Sequence, residues 1–584
     1  MAEKYYIGLS ANFHDPAISL VNDKGEIIFA EATERYLQSK RAISSAADTL
    51  FYADKILKRY PVSDYEMALN WTDHDNLYKF LKAAGAIYII RNFIPLVNWF
   101  ARKSGLSKDE FGSRLNFFHS SHFGCVAMSG ASFRRALNRH YNLPNKPLSY
   151  FDHHLCHAYQ AFYSSPCKEA IIFVIDGAGD EASSYSIYSA KNQTIEKLYR
   201  NKSRASLGDF YSALTNLCGF YPQAGEQWKV MGMAPYGKIN KEFYADLSNW
   251  IYVSGNELKI KIKNQYHFIR NKLKNHGYKD LNRYDIAFTG QLLYEEIVEK
   301  LINSAYEKWP NSNLIICGGC GLNSASNGKL HLTTKYKNVY IPSAPADDGG
   351  AVGAALLNFK KHNPDKAIPH NQSDPYLGFD IKDEEILYMV NYSGYFNEKM
   401  EYTQLYTYIA KELQAGKIIG WVQGRAEFGP RALGNRSILA NPSLADMKDK
   451  INARVKFREE FRPFAPSILE EHAAAYFENY HPTPFMERVL SIKELKQREL
   501  IAVNHIDNTG RLQTVTKKGN EHFYNLIEQF YKLTGVPVLL NTSFNVMGKP
   551  IVNSVSDMSA VFANSGLDIL VINNYVFRKQ EQKS

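Results

Sequence analysis

Short apolar runs open the chain at Tyr5–Ala11, Ala17–Asn22 and Glu26–Ala32, separated by Asn12–Pro16 and by the turn Asn22-Asp23-Lys24-Gly25. Runs of this length bounded by turn residues predict a β-meander. The pattern returns at Glu169–Asp176, Ser183–Ala190 and Thr194–Tyr199, broken at Gly177–Glu181 and Lys191–Gln193, and in both sets an Asp- or His-bearing loop follows the first strand. Such recurrence predicts an internal duplication. A helix at Tyr284–Trp309, a strand at Asn313–Cys317, a glycine turn, a strand at Val339–Pro342 and a helix at Gly349–Phe359 then alternate, which predicts α/β layers. The polar, Pro-bearing Lys360–Pro375 reads as a linker. Beyond it, helices at Leu405–Ala415 and Phe523–Thr534 and strands at Lys417–Val422 and Val536–Leu540 predict a second α/β domain. The domains are therefore expected at 1–375 and 376–584.

Composition narrows the class. The 584 residues are 45% hydrophobic and 22% charged, which describes a soluble globular chain and excludes long disorder. A net charge of +10 is modest for this length and gives no reason to expect a nucleic-acid partner, so the placement of Arg and Lys matters more than their sum. The six cysteines are too unevenly spaced for a disulfide framework, and a reducing cytoplasm is expected. Met1 runs into a strand with no apolar signal core, so secretion is not expected. The most membrane-like stretch, Ala83–Phe100, is interrupted by Arg91 and Pro95; it reads as a buried or capping helix pair, and no membrane association is expected.

Several constellations could carry chemistry. In Phe151-Asp-His-His-Leu-Cys-His157, His153 and His157 fall one helical turn apart, where both imidazoles can reach one metal ion, although capped helix-start histidines would look the same. Asp176 ends a strand at a glycine turn and Asp348 precedes Gly349-Gly350 at a helix start. Two imidazoles and two carboxylates suit a borderline divalent ion such as Fe²⁺, Mn²⁺ or Zn²⁺. Cys317-Gly-Gly-Cys-Gly-Leu-Asn323 supplies glycines between strand and helix for close approach to a ligand, with packing the favoured use of the two thiols. Glu226 and Lys229, in Gly225–Gly237, could bond a ribose and a phosphate. The densest basic stretch carries Arg425, Arg431, Arg436, Lys456, Arg458 and Arg462 among Gly, Pro and aromatic residues, a candidate phosphate site for guanidinium forks. Asn541-Thr-Ser543-Phe-Asn545 places hydroxyls and amides at the end of an apolar strand.

At these residues the sequence resembles the O-carbamoyltransferases of natural-product and nodulation-factor biosynthesis. The likeness covers Ile7–Arg41, His153–His157, Asp176–Gly177, Lys229–Gly237, Gly318–Asn323, Asp347–Gly350, Gly424–Pro466 and Thr534–Val552, and the run Glu427–Ser437 is its most specific part. It implies an α/β chain with a duplicated actin/Hsp70-like ATPase-fold N-terminal domain and a YrdC-like C-terminal domain. It also implies that His153, His157, Asp176 and Asp348 bind Fe²⁺ or another divalent metal, and that Glu226, Lys229, Gly318, Gly319 and Asn323 contact nucleotide. Lys40, Arg431, Lys456, Arg462, Arg511 and Ser543 would bind carbamoyl phosphate and ATP, with Mg²⁺ accompanying ATP. Local departures are Asn508-Thr-Gly-Arg511, Lys549 and the pair Cys317/Cys320.

The resemblance further implies two steps, formation of carbamoyl adenylate and then transfer to a hydroxyl of a small molecule. His14, with Asp15 beside it in the loop after the first strand, is the candidate base or acceptor anchor. The insertion Asn70–Leu148, with Trp99, His119, His122 and Arg134, is the expected acceptor side, and the aromatic content leaves room for a homodimer. Two rival readings remain open on sequence: an actin-fold sugar kinase, and a nucleotide- and metal-binding regulatory protein with an RNA-binding C-terminal domain.

Overall fold

β1 (Glu3–Ser10), β2 (Ala17–Val21) and β3 (Ile27–Ala32) form the expected antiparallel meander, in a register that sets Leu9 opposite Ile18 and Ala17 opposite Ala32. β4 (Val62–Leu69) and β5 (Leu148–Tyr150) extend it in parallel beyond β1. The five-stranded order is β3-β2-β1-β4-β5. The second meander, β6 (Glu169–Ile175), β7 (Tyr185–Lys191) and β8 (Thr194–Arg200), follows the same plan. After a hairpin of β9 (Ile251–Ser254) and β10 (Glu257–Ile260), β11 (Asn313–Cys317) and β12 (Asn338–Tyr340) join β6 in parallel, giving β12-β11-β6-β7-β8. The two sheets have one topology, so the duplication is real, and it is the duplicated α/β plan expected from the resemblance. The inner strands are apolar on both faces because helices cover them, as parallel pairing requires.

The computed structural model describes residues 2–72, 122, 124–180, 183–201, 205–255, 257–260, 265–459 and 461–579. It divides into two compact units, one of Met1–Leu37, Arg41–Leu322 and Leu330–Ser373 and the other of Gln38–Lys40, Asn323–Lys329 and Asp374–Ser584. Trp99, His119, Ala83–Phe100 and most of the Asn70–Leu148 insertion lie outside the described residues. The segment expected as linker from Lys360 begins inside a helix, since Gly349–His362 runs past Phe359. No helix among the described residues is long and apolar enough to cross a membrane.

The second unit is a mixed α/β part. Its nine-stranded sheet contains β13 (Phe396–Lys399), β14 (Ile419–Val422), β15 (Arg436–Ala440), β16 (Ala465–Leu469), β17 (Arg488–Ser491), β18 (Thr509–Val515), β19 (Val538–Ser543), β20 (Ile569–Ile572) and β21 (Tyr575–Arg578). The strand order is β13-β21-β20-β14-β15-β19-β16-β18-β17. The amphipathic helices Tyr402–Gln414 and Glu521–Thr534 bury Leu405, Ile409, Leu413, Phe523, Ile527 and Phe530 in its core.

In the first unit, buried Asp48 accepts the N–H groups of Gly130 at 2.7 Å and Phe133 at 2.8 Å, satisfying donors that open the helix Ala131–Tyr141, which carries Arg134. Burial outweighs these bonds and raises its pKa from 3.8 to about 6. A carboxyl raised on folding contributes stability that is complete below its unfolded value and is lost as pH climbs through about 6. Asp48→Ala should destabilise the unit by about 1–3 kcal/mol. Asp48→Asn should flatten the decline in stability between about pH 4 and 7 in denaturant unfolding, a region set by the shifted carboxyl; parallel pH profiles for Asp48→Asn and wild type would refute this account.

Candidate active site

The two repeats of the first unit contribute equivalent elements to one place. In each, a helix follows the last parallel strand, His153–Ser164 after β5 and Gly349–His362 after β12. In each, a polar loop follows the first strand, at Asn12–Asp15 after β1 and at Asp176 after β6. The two helices touch backbone to backbone, for a Cβ on Gly353 would lie 1.8 Å from the carbonyl oxygen of Cys156. Across the sheet, a Cβ on Gly8 would lie 2.0 Å from Ala351 O, so the Gly349–His362 helix is pressed against β1 as well.

That packing gathers His153, His157, Asp176 and Asp347, all buried, with one donor atom from each within 4.8 Å of the others. His153 Nε2 lies 3.1 Å from Asp176 Oδ2, 3.3 Å from His157 Nε2 and 3.6 Å from Asp347 Oδ1. His157 Nε2 lies 3.7 Å from each carboxylate. Each carboxylate is clamped through its other oxygen. Asp176 Oδ1 accepts Gly177 N–H at 2.8 Å and Gly319 N–H at 3.1 Å, while Asp347 Oδ2 accepts Asn12 Nδ2–H at 2.7 Å. Burial works against His153 becoming charged, but Asp176 and Asp347 overcome it and raise the imidazole to about 10; the same pairing holds both carboxyls below their ordinary range. Two imidazole nitrogens and two converging carboxylate oxygens suit a divalent cation, which would replace the protons as the positive charge.

The fourth donor is Asp347, where Asp348 was expected. Asp348 caps its own helix, accepting Gly349 N–H at 3.0 Å, and burial with the nearby Asp15 and Asp347 charges raises its carboxyl to about 7. One residue of offset at a helix start turns a side chain by about 100°, so only one of two adjacent carboxylates can face the histidines.

His14 sits beside this cluster, one-third exposed, with Nδ1 3.0 Å from Asp15 Oδ2 and 3.4 Å from Asp347 Oδ2. Asp15 is held by Arg41 at 2.7 Å; against the cost of burial, the Arg41 charge and the hydrogen bond with His14 lower its carboxyl to about 2. Trp71 stacks on His153 with ring centroids 4.4 Å apart, its indole N–H donating to Asn12 Oδ1, and His122 meets its edge. The sequence singled out neither Asn12, Arg41 nor Trp71.

Of the expected nucleotide contacts, Gly318 and Gly319 turn directly under the cluster. Gly318 has φ 85° and a Cβ there would lie 2.3 Å from Ile175 O, so only glycine fits. Glu226 and Lys229 pair with each other at 2.8 Å, and Glu226 Oε2 also accepts Tyr221 N–H at 2.8 Å. Asn323, in the second unit, accepts Ser326 N–H at 3.1 Å at the start of the helix Ser324–Thr333. Cys317 is packed beneath β6, and burial pushes the Cys320 thiol up to about 12, so both serve packing.

The second unit gathers cations. Burial, Arg458, Arg462 and Lys40 depress the Lys456 ammonium; burial, Arg431, Arg458 and Arg462 depress Arg511. Lys456 Nζ donates to Asn545 Oδ1 at 2.8 Å, Asn545 O at 3.0 Å and the Ser543 carbonyl, and Ser543 Oγ donates to Asn545 Oδ1 at 2.8 Å. Glu459 pairs with this group, at 3.3 Å from Arg462. Buried positive charge gathered in one place is suited to phosphate oxygens.

Arg425 and Arg436, expected in that cluster, are structural. Arg436 is fully buried and donates to the carbonyls of Gln423, Asn435, Phe379 and Gly424, while Arg425 donates to those of Gly378 and Leu377. Glu427 Oε1 accepts the N–H groups of Leu433, Asn435 and Arg436, and Gln513 Nε2 and Asn541 Nδ2 donate to the carbonyls of Leu433 and Ala432. These residues fix the loop that presents Arg431.

Residues 5–356 match the family profile Carbamoyltransferase N-terminus, and residues 410–579 match Carbamoyltransferase C-terminus. The chain is 32% identical to an uncharacterized protein of Synechocystis sp. over 99% of its own length and 97% of that protein's. It is 36% identical to nodulation protein NolO of Bradyrhizobium diazoefficiens, over 74% of this chain and 79% of NolO. It is 31% identical to the 3'-hydroxymethylcephem-O-carbamoyltransferase of Amycolatopsis lactamdurans, over 50% of this chain and 54% of that enzyme.

The donor set makes a discriminating prediction. Asp347→Asn should strip divalent metal from the purified protein while Asp348→Asn retains it, as read by elemental analysis after dialysis. Removing the outer clamp in Asn12→Ala should weaken metal affinity by about 10–100-fold. Equal metal loss in the Asp347 and Asp348 variants would count against the geometry.

Proposed function

The chain belongs to the carbamoyltransferase family, and we propose that it is an ATP- and carbamoyl phosphate-dependent O-carbamoyltransferase acting on a hydroxyl of a small molecule. The observation that carries this reading is the buried cation cluster of the second unit, in which Arg458, Arg462 and Lys40 act on Lys456, and Arg431, Arg458 and Arg462 act on Arg511. Such a group favours a bound anion, and two phosphate-bearing substrates supply it.

In the second unit, water cleaves carbamoyl phosphate to carbamate and phosphate. A carbamate oxygen then attacks the α-phosphorus of ATP, the bond to the bridging oxygen breaks, and carbamoyl adenylate and pyrophosphate result. Arg431, Arg511, Arg462, Lys40 and Lys456 stabilise the charge moving onto the phosphate oxygens, and because the Glu427–Gln513–Asn541 network already fixes the Arg431 loop, little rearrangement accompanies the reaction. Ser543, tied to Asn545, orients the Lys456 ammonium.

In the first unit, the acceptor oxygen attacks the carbamoyl carbon and AMP leaves. His153, His157, Asp176 and Asp347 would hold a divalent metal, Fe²⁺ on this reading, which supplies Lewis-acid polarisation when bound. With Nδ1 facing Asp15 and Asp347, His14 carries its proton on Nδ1 and leaves Nε2 basic, able to take the acceptor's hydroxyl proton. Gly318, Gly319, Glu226 and Lys229 are the nucleotide contacts of this unit.

Incubated with ATP and carbamoyl phosphate but no acceptor, the wild-type protein should release pyrophosphate and yield carbamoyl adenylate by mass spectrometry. Arg431→Ala should lower that half-reaction by about 100-fold or more, the scale of losing one charge-stabilising donor. His153→Ala should leave adenylate formation in place and stop transfer. Loss of both half-reactions in a folded His153→Ala protein would contradict the division of labour.

A further inference from the structure

We propose that Arg41 is a positioning residue that ties the loop Tyr221–Glu226 to the Asp15–His14 pair, so that a nucleotide held at that loop sets the orientation of the base. The inference rests on the reading of the first unit as the transfer site, and goes beyond it in naming the residue that transmits occupancy.

One guanidinium reaches both sides. Arg41 Nη2 lies 2.7 Å from Asp15 Oδ2 and Nε lies 3.0 Å from the same oxygen, while Nη1 donates to the carbonyls of Pro222 and Gln223, each at 3.3 Å. Gly225 has φ 70°, and a Cβ there would lie 2.7 Å from Arg41 Cδ, so the loop is shaped to receive this side chain. Glu226, the next residue, closes the loop by accepting Tyr221 N–H at 2.8 Å and holds Lys229 at 2.8 Å. On the other side, Asp15 lies 3.0 Å from His14 Nδ1, and His14 in turn lies 3.4 Å from Asp347.

The backbone is committed to the same end. Arg41 and Asp15 have φ 61° and 55°, an unfavourable region for side-chain-bearing residues, and are joined by a 2.8 Å bond from Asp15 N–H to Arg41 O. Arg41 N–H is held in turn by Glu34 Oε2 at 2.7 Å. A planar fork can serve the carboxylate and the two carbonyls at once; a lysine ammonium at the same place cannot span them in that geometry. Movement of the 221–226 loop therefore reaches Asp15 through a rigid group.

The test uses full-length protein and AMP as the probe. Diethyl pyrocarbonate modification of His14, followed by peptide mass spectrometry with exposed His276 as internal standard, should change by about 5-fold or more on adding AMP to wild type. Arg41→Ala should abolish that response, and Arg41→Lys, which keeps the charge and guards against a folding defect, should retain less than half of it. A structural role alone would alter reactivity without removing its dependence on AMP. An AMP response of equal size in wild type and either variant overturns the relay, as does a wild-type His14 indifferent to AMP. Pyrophosphate release by the wild type reports separately on the underlying reading, so failure of one is distinguishable from failure of the other.

Discussion

The first unit depends on one close approach between two helices. Gly353 lies where any side chain would enter the carbonyl of Cys156, and this contact sets the distance from the His153/His157 turn to Asp347 at the start of the partner helix. Since the helices are equivalent elements of the two repeats, the donor set exists only when both halves of the duplication are folded and packed. Interiors packed at this density move as blocks, so a bulkier residue at Gly353 would displace the imidazoles and carboxylates together.

The two units solve opposite electrostatic problems. The first buries two carboxylates among imidazoles, and each carboxylate spends one oxygen on donors, backbone N–H groups for Asp176 and Asn12 for Asp347. The remaining oxygens converge, and buried negative charge of that kind calls for a cation or for protonated histidines. The second unit buries Lys456 and several arginines close together, which suits anions.

Much of this was legible in the sequence because the signals are local. Strand meanders, the duplication and the i, i+4 histidines depend on spacing within a few residues, and the α/β class of both units follows from the alternation of elements. The choice between Asp347 and Asp348 was not legible. Both are helix-start carboxylates, and which one caps Gly349 and which one turns to the histidines is decided by the way the helix is packed against Cys156 and β1. Arg41 was hidden for a similar reason: its partners Asp15 and Pro222 are far apart in sequence, and its left-handed backbone carries no glycine to mark it.

The Glu427–Ser437 motif shows why residue type alone misassigns a basic cluster. A loop that must present a guanidinium to phosphate has to satisfy its own peptide groups without help from a regular strand or helix. Here Glu427 takes three N–H groups, Arg436 takes four carbonyls from below, and Gln513 and Asn541 hold the carbonyls of Leu433 and Ala432. Arg436 is thus spent on the scaffold although it is chemically identical to Arg431. The distinction lies in burial: Arg436 is fully buried with four carbonyl acceptors on its Nη1 and Nη2, whereas Arg431 stays half-buried beside Arg511. A long, glycine-rich run with one arginine free to act and another locked beneath it is what an anion site built on an irregular loop requires.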